Sequence, residues 1–306
     1  MPGGLIRVGG YAPADSSHSS ALGVLAGSIV RQTAGRLAVD VLGNILEQGR
    51  PAVALLEMVE AGELDMCYFS TSYLGGRVPE LNVLETPFLF GGLDEAHAAL
   101  DGGFGAALTA ATEAATPFAV LGYWDNGFRH LTNRLRAVRV PGDLAGMRVR
   151  LQPNELHEAM VEAWGGVPVP VELSAGIRMI THGEVDAQEN PLANTVAYGV
   201  DAVHRHATMT AHLYGARGIY ANAAWLQSVA ESDREVLAVA VSEAVAHQRA
   251  SARGREIEYR GLMAARGVEF VDPTPDERAS FVASVAEVVA RARATYGVGL
   301  YDLIES

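Results

Sequence analysis

Short apolar runs alternate with longer stretches of helical period along the first part of the chain. Leu5–Gly9, Leu37–Val41, Leu64–Phe69 and Pro117–Gly122 read as strands; Ser20–Thr33, Pro51–Ala61 and Asp94–Ala115 between them read as helices. This alternation predicts a mostly parallel sheet with helices on its faces, because parallel neighbours need a crossover long enough to cover the sheet. The stretch Asn126–Val140 is polar, arginine-rich and nearly free of helical period, and reads as a boundary or crossover. A second α/β pattern follows: strands at Met147–Leu151, Val167–Val171, Val185–Glu189 and Gly218–Ala221, helices at Glu155–Trp164 and Ser174–Thr181.

The last third is helical. Ser232-Asp233-Arg234-Glu235 fits a capping box, opening a helix that runs to about Arg266. Gly267 fits its C-cap. Thr274-Pro275-Asp276-Glu277 is a second capping box with proline at the first helical position, and its helix reaches about Tyr296. A helix of ~30 residues is ~45 Å long. That exceeds the width of a small domain, so it is expected to lie across two α/β halves.

Composition narrows the chemistry. The chain has 306 residues, 49% hydrophobic and 19% charged, enough apolar material for a folded core. All 23 basic residues are arginine, which excludes a Schiff-base, P-loop or pyridoxal-phosphate lysine. Thirty-six acidic residues give a net charge of −13, so nucleic acid and anionic membrane are expected to be repelled. Cys67 is the single cysteine, which rules out an intrachain disulfide or a thiolate metal cluster; its apolar surroundings read as a buried strand. No run approaches the ~18 apolar residues of a membrane helix. The start, MPGGLIRVGG, lacks the pattern of a secretory leader, leaving a cytoplasmic protein or a mature form with its leader removed.

Gly102-Gly103-Phe104-Gly105 lacks the rest of a dinucleotide fingerprint. His204, His206 and His212 alternate faces if on a strand and do not read as a metal site; neither a metal nor a cofactor is expected. No nucleophile elbow or zinc-protease motif is present. What remains is a set of polar residues at strand ends, where open α/β sheets bind ligands: Arg129, Arg150 and Asn190. Arginine offers there a planar fork matched to a carboxylate.

These segments resemble the substrate-binding proteins of tripartite ATP-independent periplasmic (TRAP) transporters, the DctP-type family, over nearly the whole chain. The resemblance is carried by AGELDMCYFSTSYLGGRVPELNVLETPFLF (61–90), YWDNGFRHLTN (123–133), PGDLAGMRVRLQPN (141–154), GGVPVP (165–170), THGEVDAQENP (181–191) and TAHLYG (210–215). The pair D-L-x-G-x-x-x-R and G-x-V-D-x-Q-E-N-P carries most of its specificity. The resemblance implies an α/β, two-lobed periplasmic-binding-protein-like fold, with a long helix spanning both lobes and a ligand cleft between them. The lobes are expected at 5–125 plus 214–252 and at 126–213 plus 253–306. It implies capture of a small organic acid and delivery to TRAP membrane permease subunits, by a periplasmic monomer whose leader has been removed. The family's carboxylate-binding arginine falls on Arg150, a second arginine on Arg129 and the motif asparagine on Asn190.

Two departures bear on ligand choice. Leu173 stands where the family often has an aromatic that packs on the ligand, and Leu46-Glu47 replaces the usual L-G of the first lobe. Asn154 is expected to contact a hydroxyl, and Tyr11, His18, Arg50 and Tyr73 are candidates for the far end of the ligand; Trp124 and Tyr214 are expected to pack at the hinge. Polar candidates outnumber aromatic ones, which favours a sugar acid such as a hexuronate or aldonate, then a dicarboxylate or keto acid. Two other readings are an enzyme acting on an organic acid, with His130, Glu189 or His212 as base, and a ligand sensor for a signalling partner.

Overall fold

The structure is a computed structural model, which describes residues 4–305. Residues 1–3 and 306, the last residue of the expected second lobe, lie outside the described residues. In chain order the elements are β1 (Gly4–Gly9), α1 (Ser17–Gln32), β2 (Leu37–Leu42), α2 (Ala54–Glu60), β3 (Met66–Ser70), α3 (Leu93–Asp101), α4 (Gly103–Ala115), β4 (Phe118–Asn133), β5 (Arg148–Leu151), α5 (Glu155–Ala163), β6 (Val167–Pro170), α6 (Leu173–Thr181), β7 (Ala187–Asn190), α7 (Leu192–Ala197), β8 (His206–Asn222), α8 (Ala223–Ser228), α9 (Glu231–Ala265), β9 (Glu269–Val271), α10 (Pro275–Ser284), α11 (Ala286–Tyr296) and α12 (Val298–Glu305). No helix among the described residues is long and apolar enough to cross a membrane.

The chain divides into two compact units. One holds the described residues through Thr71 together with Thr109–Asp125 and Ala216–Gly254; the other holds Ser72–Leu108, Asn126–Gly215 and the chain from Arg255 onward. In the first unit β1 pairs in parallel with β2 and β3, and β3 pairs antiparallel with β8. Ile6 and Val8 on β1, and Leu22, Leu25 and Ile29 on α1, are buried there. In the second unit β5 lies between β6 and β7, parallel to both, and β7 pairs antiparallel with β4. The core of that unit gathers Met147, Val149 and Leu151 of the β5 region with Met160 and Trp164 of α5 and Phe281 of α10. Of α9, residues through Gly254 belong to the first unit and the rest to the second.

Residues 72–108, expected in the first lobe, make their contacts in the second unit. Glu85 meets His157, Asn82 meets Asn154, the Phe88 amide donates to the His212 carbonyl, and Thr86 meets Tyr301. All four partners lie far along the sequence, so no local pattern reveals the assignment.

Several expected boundaries move for identifiable reasons. The supposed crossover after Trp124 is instead the continuation of β4 to Asn133. It reads as polar because Arg129, His130 and Thr132 are buried on it, each with a polar partner: Glu189, Glu256 and His204. Likewise the strand expected only at Gly218–Ala221 spans His206–Asn222. The single helix at 94–115 is two helices with Gly102 between them, and that at 275–296 breaks at Val285. Ser232 does not cap α9, which already begins at Glu231; Asp233 of the supposed box instead pairs with Arg36. The second box forms as read: Thr274 accepts from the Glu277 amide and Glu277 from the Thr274 amide. Gly267 follows α9 with φ +86°.

Cys67 is fully buried on β3, and burial pushes its thiol far above the ordinary range, since a thiolate there would lose its hydration. Replacing Thr274 by alanine removes one cap bond and should cost about 1 kcal/mol, read as a lower melting temperature. An unchanged melting temperature would mean that the box does not hold the start of α10.

Candidate functional site

Arg150 and Arg129 sit on adjacent parts of the second unit's sheet, on β5 and β4. Arg150 pairs in register with Val169 of β6 and Gln188 of β7. Arg150 is 2% exposed; Nη2 donates to the Val171 carbonyl at 2.9 Å, and Tyr73 lies close enough to feel its charge. Nε is buried with no hydrogen-bond partner, and Arg150 forms no ion pair among the described residues. Gly176 of α6 makes room for this side chain: a Cβ at 176 would lie 2.3 Å from Arg150 Nε. The helix therefore passes the guanidinium closely only because residue 176 has no side chain.

Arg129 is fixed differently. Its Nε and Nη2 donate to the carboxylate of Glu189, and Nη2 also to the Glu189 carbonyl at 2.8 Å. Both groups are buried, at 1% and 0% side-chain exposure. Nη1 of Arg129 is buried without a partner. Burial by itself would push the Glu189 carboxyl up, but the Arg129 charge and bonds, with His212 and His157 nearby, hold it far below the carboxylate range. Burial likewise opposes the Arg129 charge, and Glu189 outweighs it.

A second layer surrounds this pair. His157 of α5 lies between two buried carboxylates, with Nε2 at 2.7 Å from Glu85 and Nδ1 at 3.8 Å from Glu189. His212 of β8 has Nε2 at 3.6 Å from Glu189, Nδ1 at 2.6 Å from the Thr210 hydroxyl, and its ring edge-on to Trp164. Asp186, the aspartate of G-x-V-D-x-Q-E-N-P, ties β7 to its neighbours by accepting from Arg148 and Arg134. The Arg148 hydrogen bond leads in lowering its carboxyl to about 2. Sequence reasoning passed over Glu85, His157 and Gly176, none of which has a local signature, since each earns its position from a partner distant in the chain; Asp186 stood in the motif, but its ties to Arg148 and Arg134 were not read from it.

The remaining expected residues are placed as follows. Tyr73 is half-buried beside Arg150 and feels the charges of Arg129 and Glu172. Asn190 ends β7 and accepts from the Asn194 side chain at 3.0 Å. Asn154 caps α5, accepting from the Leu156 amide, while its Nδ2 donates to Asn82. Leu173 opens α6, half-buried; Glu172 caps that helix. In the first unit Tyr11 stacks on Tyr68, 5.2 Å between centroids, under the guanidinium of Arg217. His18 also stacks on Tyr68 and bonds the Asp125 carbonyl at 2.8 Å. Arg50 is exposed in the loop before α2. Trp124 packs on Tyr68 and His18 in the first unit, and Tyr214 on Phe90 and Phe128 in the second. The structure thus gathers Arg129, Arg150 and Tyr73, whereas Tyr11 and His18 serve an aromatic cluster of the first unit. The three histidines 204, 206 and 212 have separate partners, Thr132, Glu269 and Glu189.

Two outcomes are expected from this geometry. Glu189→Gln removes the counter-charge of a buried guanidinium and should lower stability by roughly 3–5 kcal/mol; a urea midpoint equal to wild type would show that the pair is not needed. Burial lowers His212 from its usual 6.5 to about 4 and His204 to about 3. A histidine lowered by folding binds fewer protons native than unfolded. Stability should therefore fall as pH drops from about 6.5 toward 4, with a shallower fall in His204→Asn. A pH-independent urea midpoint across that window would contradict it.

Comparison with known proteins follows from this arrangement. The family described as bacterial extracellular solute-binding protein, family 7 (DctP) matches residues 8–295. A solute-binding protein of Verminephrobacter eiseniae is 31% identical over 297 residues, 96% of this chain and 86% of its own length. Among solved structures, the sugar acid binding protein of Advenella mimigardefordensis in complex with galactonate superposes with a TM-score of 0.92 at 24% identity, covering 98% of this chain and 97% of that one. A TRAP periplasmic solute binding protein from Roseobacter denitrificans with bound β-D-glucuronate gives 0.91 at 24%, covering 99% of each. The fold is that of the two-lobed TRAP periplasmic binding proteins.

Proposed function

This chain belongs to the bacterial extracellular solute-binding proteins of family 7, which serve transporters and are not enzymes, and from that premise we propose that it captures a small hydroxylated carboxylate, a sugar acid first. The observation that carries the reading is the buried Arg150 guanidinium with no carboxylate paired to it among the described residues. A buried cation without a counter-charge is costly, and the anionic head group of a ligand supplies it. Arg129 adds a donor through Nη1, its other donors being held by Glu189. Asn190 contributes from the neighbouring strand end, and Tyr73 from beside Arg150.

Each charge-assisted bond contributes roughly 1.5–3 kcal/mol net. Two or three approach the roughly 8 kcal/mol of micromolar affinity once apolar burial offsets the cost of association. Leu173 offers no ring to stack on, which favours hydroxylated over flat ligands. The galactonate and glucuronate held by the two structural relatives support the same class. Asn154 is largely spent on its cap and on Asn82, so its share is one remaining N–H. Tyr11, His18 and Arg50 stay secondary candidates for the far end of the ligand. The partner is a TRAP permease in the membrane. The protein works in the periplasm as a monomer, and a net charge of −13 leaves nucleic acid out of its range.

Titration calorimetry with galactonate and glucuronate tests this. Arg150→Lys should weaken binding tenfold or more, because a point charge cannot reproduce the fork, and Gly176→Ala should weaken it by displacing the guanidinium. Arg150→Ala binding both acids as tightly as wild type would sink the anchor.

A further inference from the structure

Next to Tyr73 the second unit contains a cavity of about 490 Å³, lined by Ser72, Tyr73, Asn82, Asn154, Glu158 and Tyr296, with Gly75, Gly76, Pro79, Pro153, Glu155 and Thr295 completing it. The cavity belongs to the neighbourhood of the carboxylate anchor, since Asn154 on its wall follows Arg150 by four residues just past the end of β5 and Tyr73 on its wall lies within reach of the Arg150 charge, and its volume is on the order of sixteen waters. Its walls are built rather than left over. Asn154 donates to the Asn82 side chain at 2.7 Å, Asn82 donates to the Gly75 carbonyl at 3.1 Å, and Ser72 donates to Gln152 at 2.8 Å. Gly75 is required there, because a Cβ would fall 2.2 Å from Asn82 Oδ1.

The chemistry of the lining is that of a neutral, hydroxylated group. Tyr73 and Tyr296 supply aromatic faces, Asn82 and Asn154 supply amides, and Glu155 and Glu158 supply carboxylates that form no ion pair among the described residues. Tyr296 is anchored by packing on the core that holds Trp164 and Phe281. Unpaired carboxylates accept hydrogen bonds from sugar hydroxyls and repel a second anionic group. Resting on the proposed carboxylate capture at Arg150, we infer that this cavity takes a neutral sugar ring attached to the acid, so that the preferred ligands include acidic disaccharides: one carboxylate-bearing unit at the arginines and one uncharged ring in the cavity.

Calorimetry on the full chain with matched probes decides it: gluconate against lactobionate, glucuronate against cellobiouronate, and galactarate as a diacid. Each disaccharide acid is expected to bind at least as tightly as its parent, with galactarate the weakest. Tyr296→Ala should weaken the disaccharide acids roughly tenfold, about 1.4 kcal/mol, and leave the parents unchanged. Glu158→Gln, a half-exposed position whose side chain forms no hydrogen bond or ion pair among the described residues, should do the same several-fold without endangering folding. Parents that bind while both disaccharide acids do not would overturn the cavity assignment and leave the arginine anchor standing. Variants that weaken parent and disaccharide alike would overturn it too. Failure of all five probes would remove the anchor and this inference together.

Discussion

The buried ion pair between Arg129 and Glu189 organises the second unit. Two charges removed from water are tolerable only because the fork of one meets both oxygens and the main-chain carbonyl of the other. That pairing fixes β4 against β7, where Leu131 faces Glu189 in register. It also orients Arg129 so that one donor, Nη1, stays outside the pair. His157 and His212 approach Glu189 from α5 and β8, so two further elements are referred to the same carboxylate.

Against that fixed pair, Arg150 stands out by contrast. The same depth of burial is matched by a main-chain carbonyl but no acid. The two arginines thus divide the work. One is paired with a carboxylate inside the protein and supports the sheet, and the other has no carboxylate partner among the described residues. Glycine at 176 lets the second remain where it is, because any larger residue on α6 would push against its Nε.

Much of this was legible in the sequence. Apolar alternation located most strands, and the Thr274 box located a helix start, because these depend on neighbours within one turn or one pleat. The motif arginines and asparagine were found by likeness to a family. Of the long strands β4 and β8 only the parts at Pro117–Gly122 and Gly218–Ala221 were found, because buried polar residues in the rest of β4, such as Arg129 and Thr132, are satisfied by partners 60 or more positions away, Glu189 and His204. A buried arginine and an exposed one look the same in one dimension. Asn154 illustrates the reverse: its type suits a hydroxyl contact, but an N-cap uses it first.

By itself, then, the sequence determined the α/β alternation and the absence of lysine and of thiolate clusters, since these are properties of composition and short-range period; Arg129, expected at a strand end, lies instead within β4. Only the tertiary structure decided which arginine is paired with a carboxylate and which is not, that residues 72–108 join the second unit, and that Tyr11 and His18 pack on Tyr68. Those outcomes depend on which distant groups meet when water is excluded, and burial, not residue type, sets the energy of each meeting.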